Sequence, residues 1–591
     1  MRTLSASLLS RGGCLLSVLS SPLWLMACAA EPPPPAVAVP PVAAAPPAPP
    51  PAATEPYLKV RLTPRAEGTP HVHVDMELGI VRPQESFRLA LGAPENLTHV
   101  VMSDGGGAVD VKLSADRGGV LLAPLRSPSG IVRLGYDVAA NTESAFKPLA
   151  TRVLDDRFVG SGETLLLLPD HSGDEAIPVE IGIDGSALRA PNAASTLGVG
   201  ATHRAKLRAA SLVGVTFVAG SMGASVFDAI EGHDEAAWLG YTAFDPRPAA
   251  AEVAQVRTAM AEIFHAQSPP PSTLLFVTQT RPLGSYTTTS RLGGTLLQLG
   301  PSEPWSAPLR ISIGQQLVRP WLGRELSIAP RDAYHPAESY WFTEGVARFF
   351  VTRLLARVGL IHPDDVRDAL VGEISVILAS GHQGKSNGAL AEIASTDPTA
   401  RAHLAARGAL YAARVNALLR DKSKGASSLD ALILDLLSRA RKEQQSLPAS
   451  AWGEAVSRLV APAEGPQFER TIDAGEEVVL PKSVLGHCYR AGTGDYVTFD
   501  LGFDAAATRE AKTGEVVGLR TDGPAARAGL KPGDIVEADY RDGHPEVPVK
   551  LTVERGAETL HLTYEARGAR HVGPTWTRLP ATPDERCDDA F

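Results

Sequence analysis

Cysteine is scarce in this sequence: there are four in 591 residues. Two of them, Cys14 and Cys28, fall among the first thirty positions, so Cys488 and Cys587 alone remain for one bridge in the body of the chain. Basic charge is not in excess. Lys and Arg number 56 against 66 Asp and Glu, a net charge of −10, which gives no support for a nucleic-acid partner. No internal repeat is apparent. Histidine is missing from Ala266 through Tyr334, and no His-Glu-x-x-His occurs anywhere. The helical motif that sets two imidazoles and a glutamate base around zinc is therefore excluded. The apolar run CLLSVLSSPLWLMA, Cys14–Ala27, is too short to span a bilayer.

What is present at the N-terminus reads as a leader. Arg2 and Arg11 precede the apolar run, as in a signal peptide. The run ends in Leu25-Met26-Ala27-Cys28, which resembles a bacterial lipobox. The resemblance implies a signal peptide over 1–27 and lipidation of Cys28 as the mature N-terminus. Plain cleavage near Ala27–Ala30 is the alternative. Ala29 in place of aspartate resembles the pattern that sorts lipoproteins to the outer membrane. Residues 28–56 form a Pro-rich tether; at about 3.1 Å per residue a polyproline helix would reach roughly 80 Å. An oxidising envelope location predicts a disulfide between Cys488 and Cys587, closing a loop of about 100 residues. Two buried free thiols are the alternative.

The length predicts roughly three to four domains. From Tyr57 to about Leu188, segments such as YLKVRLTP, HVHVDMEL and GIVRLGYDV alternate apolar and polar residues between turns. Short strands at that spacing predict an N-terminal β-sandwich over 57–188. His71 and His73 share one strand face and read as polar outer positions, since no third metal ligand is nearby in the sequence. Helical patterns follow over Ala249–Gln267, Ser339–Gly359, Pro363–Ser380, Thr399–Leu419, Ser428–Glu443 and Ala449–Leu459. With the β-like stretches after Arg189 they predict an α+β domain over 189–470. The tail, 471–591, is β-rich with glycine turns.

Glu344 is the acid in the apolar run SYWFTEGVARFF, Ser339–Phe350. On a regular helix its i+4 neighbour is Arg348, which would make a simple ion pair. The string WFTEG, however, resembles the second metal helix of the glycyl aminopeptidase family of gluzincin metallopeptidases. FFVTRLLARVGLI and HLAARGALYAARVNALLRDKSKGASSLDALILDLL also resemble segments of that family. So does the order of domains: β-domain, thermolysin-like domain, PDZ-like module. The resemblance covers about Tyr57–Arg578 and implies a multidomain α+β architecture. It also implies that Glu344 stands where a third zinc ligand would.

The rest of the implied site has departed. Anchored on Trp321-Leu322-Gly323, the two histidines and the glutamate base become Gln315, Arg319 and Gln316. A neutral amide is a poor zinc ligand, Gln316 cannot take a proton, and Arg319 puts a permanent cation at the metal position. Pro320 would break a helix continued through it. His335 precedes a proline and has no i+4 partner. The implied Gly-Gly-Leu-Glu-His-like segment survives as Gly293-Gly294 with no acid, and the implied tyrosine near the basic–glycine pair becomes Leu404-Ala405. No cofactor is expected, and an Arg319–Glu344 ion pair is expected in place of the metal.

In the tail, Asp500-Leu501-Gly502-Phe503-Asp504 resembles the carboxylate-binding loop of PDZ domains, and DGPAARAGLKPGDIV resembles the helix and turn that follow. Leu501, Gly502 and Phe503 are the implied peptide-binding residues, followed by a strand that would pair with the peptide. The short link RDGHPEVP leaves no room for the second PDZ helix, so a structural cap is an equal expectation. The whole reads as a lipid-anchored, non-catalytic envelope protein that binds peptides or proteins or acts as a scaffold. The alternative is an active metallo-aminopeptidase or other hydrolase with unrecognised ligands, which would need zinc. A purely structural envelope protein is the third reading.

Overall fold

The structure is a computed structural model describing residues 55–79, 86–116, 118–140, 151–170, 175–189, 192–229, 232–265, 271–330, 335–511, 513–541, 543–580 and 587. The leader, Cys28 and nearly all of the tether lie outside the described residues.

Alternation produces strands where it was expected. In His71–Gly79, Val72, Val74, Met76 and Leu78 are buried, while His71 and His73 take the opposite face. This strand runs between Tyr57–Arg65 and Val132–Ala139 in a seven-stranded sheet. A four-stranded sheet built around Phe87–Leu89 and Gly119–Pro124 buries Phe87 and Leu122 in the same apolar core as Leu58 and Val74. The β-region extends further than the boundary at 188. Thr202–Leu207 pairs with Ile177–Ile183, and Thr216–Gly220 pairs with Arg157–Ser161. These ladders join distant segments, so alternation along the chain does not reveal them, and the boundary moves to about Gly220.

A five-stranded mixed sheet follows, in the order Met222–Asp228, His233–Leu239, Thr273–Thr278, Gly294–Leu299, Thr287–Arg291. The helix Pro246–Ile263 makes the crossover between two parallel strands, and Asp245 caps its start through the Arg247 N–H. Gly293, with φ of +78°, lets the hairpin turn back so that Thr287–Arg291 becomes the sheet edge.

The helical half forms where its periodicity predicted, with Pro363–Ala379, Pro398–Ser423, Leu429–Glu443 and Ala449–Leu459 as its main helices. Asp397 and Ser428 cap two of them. Trp341, at their centre, packs on Trp452 and Phe468 at ring distances of 5.4 and 5.2 Å. The expected helix from Ser339 is instead a π-helical turn, Trp341–Val346, running into the helix Ala347–Arg357. This turn crosses Pro398–Ser423 backbone to backbone. A Cβ on Gly345 would stand 2.3 Å from the Ala405 carbonyl oxygen, and one on Gly408 would stand 1.9 Å from that of Trp341.

The tail has its own small core, formed by Leu501, Ala525, Leu530, Val549, Leu551 and Ala566. Its flanking ribbon, Tyr489–Phe499 paired with Arg567–Arg578, does not belong to that core alone. Tyr489, Tyr496 and Trp576 join the large helical core. Asp364 fixes the ribbon by accepting from Tyr489 Oη at 3.0 Å and Arg578 Nη1 at 3.1 Å. The expected disulfide is formed: Cys488 and Cys587 are joined beside this ribbon. The ribbon therefore packs into the helical core as well as flanking the small core of the tail.

Alanine has the higher helix propensity by roughly 1 kcal/mol, but a methyl at position 408 meets main chain that has nowhere to move. Gly408→Ala is expected to destabilise the protein by about 1–3 kcal/mol or more, read as a lower urea midpoint. An unchanged midpoint would contradict the tight crossing.

Candidate functional site

The helix Ala307–Leu317 and the π-helical turn Trp341–Val346 bring the sequence-predicted positions together. Gln315 is buried, and its Nε2 donates to the Glu344 carbonyl oxygen at 2.9 Å. Gln316 Oε1 accepts from the Ser290 N–H at 3.2 Å, on the sheet edge Thr287–Arg291. The helix ends at Leu317, so Arg319 lies in the turn beyond it and Pro320 interrupts nothing. Arg319 Nη2 reaches Glu344 Oε1 at 3.9 Å, as the pairing expectation required.

The nearer cation was not foreseen. Arg401 Nη2 donates to Glu344 Oε1 at 2.5 Å and its Nε to Oε2 at 3.4 Å. Its guanidinium also lies 4.8 Å from the centre of the Tyr340 ring. The Glu344 carboxylate in turn holds Arg401 above the usual arginine range. Arg348, the i+4 candidate, goes elsewhere. Its Nη1 donates to both oxygens of Glu373 at 2.9 and 3.1 Å, and Glu373 raises its pKa. The π-helical turn starts Ala347–Arg357 in a new register, and the buried Glu373 of Pro363–Ala379 claims the guanidinium.

This donor set does not fit zinc. Gln315 offers only a neutral amide, oriented by its Nε2 on the Glu344 carbonyl, Gln316 holds an edge-strand amide, and Glu344 already faces two guanidinium groups. A divalent cation there would lie against fixed positive charge with one carboxylate in support. Among the described residues, no cluster of three His, Cys, Asp or Glu side chains has the arrangement of a metal site. His335 starts the short helical turn Pro336–Ser339. Gly293-Gly294 form the edge hairpin, and Leu404 and Ala405 are buried in packing. The outer sheet face does bring new company to His73: its Nδ1 lies 2.6 Å from Asp137, whose other oxygen lies 2.7 Å from His99 Nδ1.

In the tail, Leu501 and Gly502 are buried and Phe503 is half-buried. Of these three, Gly502 has its N–H turned inward, donating to Asp500 at 2.9 Å, and just past them the Asp504 N–H donates to the Val517 carbonyl at 2.9 Å. The expected pairing strand is a helix, Ala505–Glu510, capped by Asp504. No second helix occurs among the described residues between Asp539 and Pro548.

No protein-family model matches the sequence, and no curated protein matches it either. Solved structures do. An aminopeptidase N family protein from Idiomarina loihiensis superposes with a TM-score of 0.63 at 14% identity, over 87% of this chain and 98% of that one. The two chains share their overall fold. An M1 zinc metallopeptidase from Deinococcus radiodurans matches with a TM-score of 0.43 at 16% identity, over 72% of this chain and 95% of that one.

Removing Arg401 leaves a nearly buried carboxylate with the longer Arg319 contact and the more distant charge of Arg348. Arg401→Met is expected to destabilise the protein by about 1–3 kcal/mol, and Arg319→Met by less. Adding Glu344→Gln to Arg401→Met is expected to recover part of the loss, a coupling of about 0.5–3 kcal/mol in urea unfolding. Strict additivity would show that the pair does not act as one.

Proposed function

We propose that this chain is a non-catalytic relative of the glycyl aminopeptidases, carried on the bacterial envelope by a lipid on Cys28, with the outer membrane as its site. It binds peptides or proteins, or scaffolds them, and needs no cofactor. The observation that carries this reading is the neutralised Glu344. Its carboxylate is held by Arg401 at 2.5 Å with Arg319 at 3.9 Å, and no carboxylate stands at Gln316 to take a proton. Gln316 also holds the Ser290 amide of the sheet edge, which supports a fixed surface more than a site of turnover.

The tail acts in this reading as a PDZ-like cap. The inward Gly502 amide, and the helix Ala505–Glu510 where a peptide-pairing strand would run, favour a structural role over capture of a peptide terminus. The ribbon that ties it to Asp364 favours the same role.

The test is turnover. The purified full chain, incubated with excess zinc and glycyl and alanyl chromogenic amides, is expected to release no more product than its Glu344→Ala variant. Turnover that this variant abolishes would overturn the reading and establish an active metallopeptidase.

A further inference from the structure

A cavity of about 300 Å³ lies among the helices Pro363–Ala379 and Pro398–Ser423, the segment 475–480 and the strand Arg567–Arg578. Much of its wall is aliphatic, from Ile374, Ile377, Leu378, Leu410, Val478 and Leu480. Two deeply buried polar residues also line it, His403 and Arg407, each 2% exposed.

The protons in this corner can be assigned. Arg407 Nη2 donates to the Lys385 carbonyl at 2.7 Å and to His403 Nε2 at 3.1 Å, and Nη1 donates to the Ile472 carbonyl at 3.5 Å. A guanidinium only donates, so His403 Nε2 accepts and its proton sits on Nδ1. That proton points to Ser380 Oγ at 2.7 Å, and Ser380 passes its own to the Ile377 carbonyl at 3.0 Å. Burial, then the charges of Arg407 and His382, push His403 down to about 3, so it is neutral. Burial brings Arg407 down to about 10, which leaves it charged at neutral pH.

Every group bonded to Arg407 is therefore neutral. This is not how the helical body treats its other arginines. Arg348 has Glu373, Arg353 has Asp430 and Arg414 has Glu464, all within 2.9 Å. A buried charge without a partner is costly, and here it borders apolar space of the size that small ligands occupy.

We propose that this cavity binds a small amphiphilic carboxylate, its anion on Arg407 and its apolar tail against Ile374, Ile377, Leu378 and Leu410. A medium-chain fatty acid and the apolar C-terminal residue of a peptide share that chemistry. Glu476 and Glu477 also border the cavity, but both are exposed, where water and salt screen them, and Glu476 lies 3.5 Å from Arg470.

The experiment titrates the full chain with octanoate and octanol, and with acetyl-leucyl-leucine as free acid and as amide. One of the acids is expected to bind once per chain and about ten-fold or more tighter than its neutral counterpart, the scale of a charge-assisted hydrogen bond. Whichever acid wins names the source. Neither acid exceeding its neutral counterpart would overturn the proposal. Because Arg407→Gln can fail to fold, a photoactivatable analogue of the winning acid maps the site in the unaltered protein. Label on 374–383, 403–410 or 478–480 is the expected result, and label confined elsewhere would overturn it.

Discussion

The helical half depends on one crossing, where main chain passes main chain at Gly345 and Gly408 with no room for a Cβ on either. Three consequences follow from it. Trp341 is drawn into contact with Trp452 and Phe468, which seals the core. Glu344, one residue from the contact, is held almost buried. Arg401, on the crossing helix, is delivered to its carboxylate. The glycines of the two recognisable strings, WFTEG and HLAARG, are thus packing requirements.

The same crossing sets what the Glu344 carboxylate requires. A carboxylate held there needs a cation, and either Zn²⁺ or a guanidinium supplies one. The fork of Arg401 meets both oxygens of Glu344 while its flat face rests against Tyr340, a geometry that a lysine could not reproduce. With Arg319 nearby, the charge that zinc would bring is already present. The glutamines then serve as hydrogen-bonding spacers, one toward the Glu344 backbone and one toward the sheet edge.

Local pattern was legible and long-range partnership was not. Ala449–Leu459 matches its periodicity to the residue, and Pro363–Ala379 differs by one. Alternation located His71–Gly79 and its buried face. The ladder from Ile177–Ile183 to Thr202–Leu207 escaped because pairing is not written in either segment alone. Arg401 escaped because it lies 57 residues from Glu344, outside both the i+4 position and the segment aligned with the metal helix. The clue was its place on the HLAARG helix, seven residues before the glycine of the crossing. Asp504 followed by three alanines is a helix start, and read so it would have replaced the expected peptide-pairing strand.

The proposed function rests on Glu344 being held by arginine and binding no zinc. Elemental analysis of the purified full chain, after exposure to zinc and gel filtration, tests it most directly. The account predicts no more zinc than in the Glu344→Ala variant. One zinc per chain that disappears in that variant would contradict it.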